Sequence, residues 1–191
     1  MSTDVYHNEV VHSAHDYNGI KALPESWTRN LAGSEYGDQT GTMGYSYKVD
    51  EGPLMCFNAA KSWQSKWYAS KTTTVTFANY SCQTRRLSGV ADYGSTPNRV
   101  VLKFKNPNNT GVDLFVAFNA KKGINSGTQE APNLVTVVQA GLGGEGYSKS
   151  VLLSKLAKGK SFSTSNFGGK KLLIKVVAIS GTSYADVQTC F

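Results

Sequence analysis

The three histidines of this 191-residue chain are its clearest candidates for metal chemistry. His7, His12 and His15 all lie within the first fifteen residues, and imidazole nitrogen is a common zinc ligand. His12 and His15 are spaced at i and i+3, so one helical face could present both of them alongside His7. The alternative is a frayed N-terminal segment with three surface histidines. Because the rest of the chain has no histidine, a Ser-His-Asp arrangement is excluded there.

A tight turn followed by a helix is predicted in residues 36–68, the least generic part of the chain. Glycines surround Met43 and allow a compact loop that holds this methionine at its bottom. These glycines are Gly37, Gly41 and Gly44. A helix is predicted to begin near Pro53, a residue type suited to the first turn. Its apolar stripe, at i, i+4 and i+8, would bury two indoles against a core. The stripe consists of Ala59, Trp63 and Trp67.

The string YGDQTGTMGYSY followed by CFNAAKSWQSKWY resembles the gametolysin family of secreted zinc metallopeptidases, a branch of the metzincins. The resemblance implies that Met43 is the methionine of the Met-turn beneath the metal. Tyr45 then resembles the tyrosine that some metzincins turn toward zinc or the oxyanion, the alternative being an aromatic packed beside the turn. Zinc, a protein or glycoprotein substrate and an extracellular location are also implied. RLSGVADYGS, FNAKKGINSGTQEAPN and VTVVQAGLGGEGYSKSVLLSKLAKGKSF resemble the β-rich region of some members.

The metal motif of that family, His-Glu-x-x-His-x-x-Gly-x-x-His, precedes the Met-turn. The best register here begins at Asn8, which implies Glu9 as the general base that activates zinc-bound water. Asn8 and Asn18 occupy two of the three histidine positions, and only seven residues precede Asn8 to supply the upstream wall of a substrate cleft. Only Glu9 and His12 keep their roles in this register, because His7 lies one residue too early and His15 stands at the glycine position. The candidate metal ligands are therefore an altered set, His7, His12 and His15.

The second half of the chain has strand composition, with short β-type runs separated by turn residues. Strands are predicted at Val100–Lys105, Val112–Phe118, Leu134–Gln139, Ser161–Thr164, Leu172–Ile179 and Tyr184–Thr189. Residues 148–158 are predicted as a helix because Val151, Leu152 and Leu156 have helical spacing. The predicted fold class is therefore α+β: a C-terminal metzincin subdomain of helix, Met-turn and helix, followed by a mainly β, sandwich-like domain.

Charge separates the two halves of the chain. Residues 1–70 carry five Lys/Arg and eight acidic residues, a net charge of −3, whereas residues 71–191 carry fifteen and five, a net charge of +10. We predict a partial metallopeptidase domain at 1–70, a linker at 71–85 and a β-rich accessory domain at 86–191. The basic half could attract acidic polysaccharide, although its lysines are scattered as on an ordinary solvated surface. No nucleic-acid motif accompanies them, and no apolar run approaches the roughly 20 residues of a membrane span.

Three cysteines permit one disulfide and one leftover thiol, and the pairing among Cys56, Cys82 and Cys190 stays open. Two Asn-x-Ser/Thr sequons begin at Asn79 and Asn108 and fit a secretory context. The N-terminal residues have no basic start and no apolar stretch, so no signal peptide is predicted.

Two functional hypotheses follow. In the first, the chain is the C-terminal part of a gametolysin-like zinc metalloendopeptidase, a partial or degenerate copy with weak or no activity, acting on extracellular or cell-wall protein. In the second, the same chain is a non-catalytic extracellular binding or structural module whose basic β half contacts acidic glycans or matrix. Asn8 and Asn18 at ligand positions favour the second.

Overall fold

A computed structural model describes residues 28–30, 38–41, 54–76, 81–108, 112–142 and 150–191. These residues form ten β-strands, one short α-helix and three single 3₁₀ turns. The strands are β1 (Thr28–Asn30), β2 (Thr72–Val75), β3 (Cys82–Leu87), β4 (Val101–Phe104), β5 (Val112–Phe118), β6 (Val135–Leu142), β7 (Ser150–Leu156), β8 (Ser161–Phe167), β9 (Lys170–Ser180) and β10 (Tyr184–Cys190). The helix, α1, is Ala59–Gln64, and the 3₁₀ turns are Ala69–Lys71, Val90–Asp92 and Gly123–Asn125.

The strands form two sheets. One has six strands in the order β1-β7-β6-β5-β4-β2, and the other has four in the order β3-β10-β9-β8. Chain neighbours from β4 to β7 and from β8 to β10 pair antiparallel, which short connections allow. β1 and β2 pair parallel with β7 and β4 at the two edges of the larger sheet.

The larger sheet is buried on both faces. Side chains from both sheets form the main apolar core, including Leu102 and Phe104 of β4 and Ile174 of β9. A second apolar cluster, with Val101 and Phe115, lies on the opposite face beneath α1. A strand covered on both faces is buried at successive positions, as in Val101–Phe104, where all four residues are buried and Lys103 alone is not apolar.

The predicted α+β metzincin arrangement of helix, Met-turn and helix is wrong for the described residues, which are mainly β and sandwich-like with one six-residue helix. The helix predicted at 148–158 is strand β7. A bulge at Leu153 explains the misleading spacing, because Val137 and Val138 of β6 pair with Ser154 and Leu152. Leu152 therefore faces α1, whereas Leu156 faces the other sheet. The bulge thus breaks the period-two alternation that identifies a strand.

The helix after the turn is shorter than predicted. It begins at Ala59, with Asn58 as its N-cap, and ends at Gln64. Lys66 has φ of 60°, a left-handed conformation that ends the helical path. Trp63 packs against Phe115 at a ring-centroid distance of 5.5 Å, but Trp67 is 39% exposed and does not belong to a buried stripe.

All six predicted strands in the second half are confirmed, with end points that differ by at most a few residues. Residues 71–85, predicted as a linker, contain β2 and most of β3. A disulfide joins Cys82 and Cys190 at directly paired positions of β3 and β10, and Cys56 is a buried free thiol. Within the described ranges, no helix has the length and apolar character needed to cross a bilayer.

Candidate functional site

The residues predicted from the sequence to do zinc chemistry lie outside the described residues. They are His7, Glu9, His12, His15, Met43 and Tyr45. Among the residues that are described, no three His, Cys, Asp or Glu side chains are grouped so that they could hold a metal ion. The zinc site therefore stays a prediction about residues outside the described ranges, and the described part of the turn is residues 38–41.

Asp38 in this turn is completely buried. Its Oδ1 accepts hydrogen bonds from Thr40 Oγ1 and, at 3.0 Å, from the Thr40 backbone N–H. Gly41 follows where the chain passes close to the start of α1, because a Cβ at this position would lie 2.7 Å from the Asn58 backbone nitrogen. A turn is thus present at residues 39–41, and a close approach of two backbones requires the glycine at position 41. The other residues of the predicted turn, Gly37, Met43 and Gly44, lie outside the described residues.

The Asn58 side chain joins three separate parts of the fold. Its Oδ1 accepts the Lys61 backbone N–H at 2.9 Å and so caps α1. Its Nδ2 donates to Asp38 Oδ2 at 2.7 Å and to Ser150 Oγ of β7 at 3.0 Å. Every group in this set is buried, so each hydrogen bond satisfies an atom that water does not reach.

Lys61 of α1 is 2% exposed, and its ammonium group donates to Gln64 Oε1 at 3.1 Å. Burial lowers the pKa of Lys61 to about 7, against a smaller upward contribution from Asp38. Burial in turn raises the pKa of Asp38, although its hydrogen bonds with Thr40 and Asn58 oppose this shift. An amine that is partly neutral at physiological pH can act as a base or a nucleophile when a substrate reaches it.

The size of the cavity beside this cluster limits which molecules could reach it. The cavity beside it, lined by Thr40, Cys56, Asn58 and Ser62 among others, has a volume of about 20 Å³. This is room for about one water molecule, not for a sugar or a peptide. Burial also raises the pKa of the Cys56 thiol to about 12, so it is not a thiolate nucleophile near neutral pH. The cluster is therefore suited to holding the 38–41 turn and α1 against the larger sheet.

Asparagine side chains extend this buried network on the far side of the cavity. Asn125 Oδ1 accepts the Cys56 backbone N–H at 2.9 Å, and Asn125 Nδ2 donates to Asn119 Oδ1 at 2.7 Å. Both asparagines lie in the stretch FNAKKGINSGTQEAPN, which the sequence singles out only by resemblance. The role of Asn125 was missed because its partner, Cys56, is 69 residues away in the chain.

The exposed surface is a different candidate. The four acidic residues described in 71–191 each make an ion pair with a basic side chain. These pairs are Asp92–Lys122, Asp113–Lys103, Glu130–Lys155 and Asp186–Arg86. Because basic residues outnumber acidic ones by fifteen to five in this half, its surface has a net positive potential.

Lysines are concentrated at the two ends of β8, the edge strand of the smaller sheet. We define the β8 lysine strip as Lys158, Lys160, Lys170, Lys171 and Lys175. All five are exposed. Hydrogen bonds from Gly159 N to Val176 O at 2.8 Å and from Val176 N to Lys160 O at 3.0 Å bring the turn before β8 against β9.

Neighbouring residues add hydrogen-bonding groups to the strip. Lys175 lies directly opposite Ser161, and the exposed residues of β8 between the lysines are hydroxyl and amide side chains, including Ser163, Ser165 and Asn166. No acidic residue occurs between Glu145 and Asp186 in the sequence. The strip therefore combines several cations with hydrogen-bonding groups over seven strand residues, roughly 20 Å.

Tight packing fixes one end of the strip. Gly168, at φ of 61°, turns the chain between β8 and β9, and a Cβ there would lie 2.2 Å from Pro107 Cγ. This contact places the β8–β9 turn against the β4–β5 connection. The sequence showed these lysines only as scattered charges, because their grouping depends on the pairing of β8 with β9.

Comparisons with protein-family models, curated proteins and solved structures find no match to this chain. The resemblance to gametolysins thus rests on the quoted residues alone.

Proposed function

We propose that this chain is an extracellular, non-catalytic binding module and that its β8 lysine strip binds acidic polysaccharide. The observation that carries the proposal is the arrangement of exposed lysines at both ends of an edge strand in a stretch without acidic residues. Carboxylate or sulfate groups repeat along such a polymer, and a row of cations separated by hydroxyl groups matches that repeat in charge and in hydrogen-bonding capacity.

Ion pairing elsewhere supports the assignment. The Arg86 guanidinium is bound to both Asp186 oxygens, at 2.8 and 2.9 Å, and stacks over the Tyr184 ring at 3.7 Å. Lys122 and Lys155 are likewise engaged by Asp92 and Glu130. Because an incoming anion would have to displace these carboxylates, Arg86, Lys122 and Lys155 are poorly suited to binding it.

The disulfide between Cys82 and Cys190 fits an extracellular module, because such bonds persist in oxidising compartments. Lysines at the two ends of an edge strand also have a structural explanation, since they oppose pairing with the edge of another molecule. Replacing lysine by glutamate separates the two explanations: a charge stays on the edge, but its sign no longer suits an anion.

The test is a calorimetric titration of the purified chain with heparin and with polygalacturonate at low and high salt, with neutral dextran as the uncharged control. We expect binding to both acidic polymers, weakened by salt because the contacts are between exposed charges. Lys158→Glu/Lys160→Glu and Lys170→Glu/Lys171→Glu should each lower the affinity about tenfold or more. Lys66→Glu/Lys121→Glu, an equal charge change at exposed lysines outside the strip, is the matched control.

Equal weakening by the control and the strip variants, or the absence of binding at low salt, would overturn the proposal. Tighter binding to single-stranded DNA of equal charge would replace polysaccharide by nucleic acid. Chelator-sensitive peptide cleavage that disappears in Glu9→Ala would instead support the metallopeptidase hypothesis.

A further inference from the structure

We infer that Asn108 is a site of N-linked glycosylation. Asn108, Asn109 and Thr110 form the Asn-x-Thr acceptor sequence, and the middle residue is not proline. This inference concerns a covalent modification of the chain and does not depend on the proposed binding of polysaccharide.

The placement of Asn108 suits an acceptor. It is exposed and lies in the connection between β4 and β5, beyond the end of the larger sheet. Its backbone N–H donates to Asn106 Oδ1 at 2.9 Å, and Asn106 is itself buried. The buried Asn106 side chain therefore holds the turn in place, whereas residue 108 lies at the surface.

The other described asparagines lack the exposure of Asn108, its acceptor sequence, or both. The side-chain amides of Asn58, Asn119 and Asn125 are buried and hydrogen-bonded inside the fold, and none of the three is followed by serine or threonine at the second position. Asn166 is exposed, as Asn108 is, but lacks the acceptor sequence. Accessibility and sequence thus coincide at Asn108.

The disulfide gives an independent indication of the compartment. Cys82 and Cys190 are 108 residues apart in the chain and are joined across β3 and β10. Such bonds form in oxidising environments, and in eukaryotic cells the secretory lumen that forms them also transfers N-linked glycans.

The chemistry is a group transfer from a lipid-linked oligosaccharide diphosphate. Asn108 Nδ2 attacks the anomeric carbon of the first sugar, a C–N bond forms, and the bond from that carbon to the diphosphate oxygen breaks. The lipid diphosphate leaves with the bonding electron pair, and Nδ2 loses one proton to a base of the transferase. No oxidation or reduction takes place.

The test is to secrete the full chain from cultured eukaryotic cells, behind a cleavable signal peptide, and to map its peptides by mass spectrometry. We expect the peptide that contains residue 108 to carry hexose and N-acetylhexosamine. Peptide N-glycosidase should remove them and convert Asn108 to aspartate. Thr110→Ala should abolish the modification with Asn108 still present, Thr110→Ser should keep it, and Asn166→Gln should leave it unchanged.

Wild-type peptides decide the question even where a variant fails to fold. Secreted chain that contains the Cys82–Cys190 disulfide but an unmodified Asn108 would overturn the inference. So would modification that persists in Thr110→Ala. Polysaccharide binding is measured on unmodified chain, so neither result affects the other.

Discussion

Lys103 Nζ lies 3.2 Å from Asp113 Oδ2, and both side chains are almost completely buried between α1 and the larger sheet. The same ammonium group lies 3.7 Å from the centroid of the Trp63 ring, which makes a cation–π contact. Asp113 Oδ1 accepts the Asn106 backbone N–H at 2.7 Å. A buried charge needs such partners, so the pair ties β4, β5 and α1 together and allows a polar contact within an apolar layer.

Removing one member of this pair should be costly. Lys103→Met leaves the Asp113 carboxylate uncompensated, and we expect it to lower the free energy of unfolding by about 3–5 kcal/mol. Asp113→Asn should also destabilise the fold because it leaves Lys103 as the unpaired charge. In urea unfolding, the double variant should lose less stability than the sum of the two single losses. Additive losses would show that the two groups do not interact.

Asn58→Ala should destabilise the fold by about 2–3 kcal/mol, because it removes a helix cap and leaves Asp38 Oδ2 without its amide partner. The stability of Asn58→Ser should lie between those of Asn58→Ala and the wild type, since serine can cap α1 but is too short to keep the bond to Asp38. Asn108→Ala, a truncation at an exposed asparagine, is the control and should change the stability measured in urea by less than about 0.5 kcal/mol. A loss in Asn58→Ala no larger than this control would contradict the role assigned to Asn58.

Thiol reactivity should distinguish the three cysteines. We expect the native chain to react negligibly with a thiol reagent, because Cys56 is buried and its pKa is raised to about 12. Denaturation without a reductant should expose one thiol, and reduction should expose three. Cys82→Ser/Cys190→Ser should lower the free energy of unfolding by about 2–4 kcal/mol, because the bridge closes a long loop in the unfolded chain. A second reactive thiol in the unreduced, denatured chain would refute the pairing.

The strands that the sequence predicted and those it did not differ in burial. β5 matches its prediction because six of its seven residues are buried and five of these, residues 114–118, form one apolar run. β3 has one buried residue, Leu87, and its polar, mostly exposed remainder gives no strand period. β7 was mistaken for a helix because the bulge at Leu153 shifts its buried positions. Whether β3 and β7 form as strands depends on the strands with which they pair, and a single sequence does not show those partners.

The candidate site shows the same limit. Gly41 could be singled out locally, since glycine marks a close approach or a turn. Asp38 and Asn58 could not be connected, because they are 20 residues apart and share a partner network with Ser150, 92 residues beyond Asn58. Likewise, the β8 lysine strip exists only once β8 pairs with β9.

Lys61 should make the stability of the fold depend on pH. Its pKa is about 7 in the folded chain, against an ordinary lysine value of 10.5, so between these two values the unfolded chain binds more protons. The free energy of unfolding should therefore rise with pH above 7, by about 1 kcal/mol per pH unit. Near pH 9 the rise should weaken, because the Cys56 thiol, whose pKa is raised in the fold, ionises there only when the chain unfolds.

Chemical unfolding between pH 7 and pH 9 measures this effect, and the upper limit is the ordinary pKa of a cysteine thiol, 9.0. In Lys61→Met the free energy of unfolding should no longer rise with pH, because methionine does not titrate. Methionine fills a similar volume, so the packing is kept. Lys66→Met, at an exposed lysine of the same segment, should keep it. A rise that persists in Lys61→Met would assign the proton to another group and would show that the Lys61 amine stays charged inside the fold.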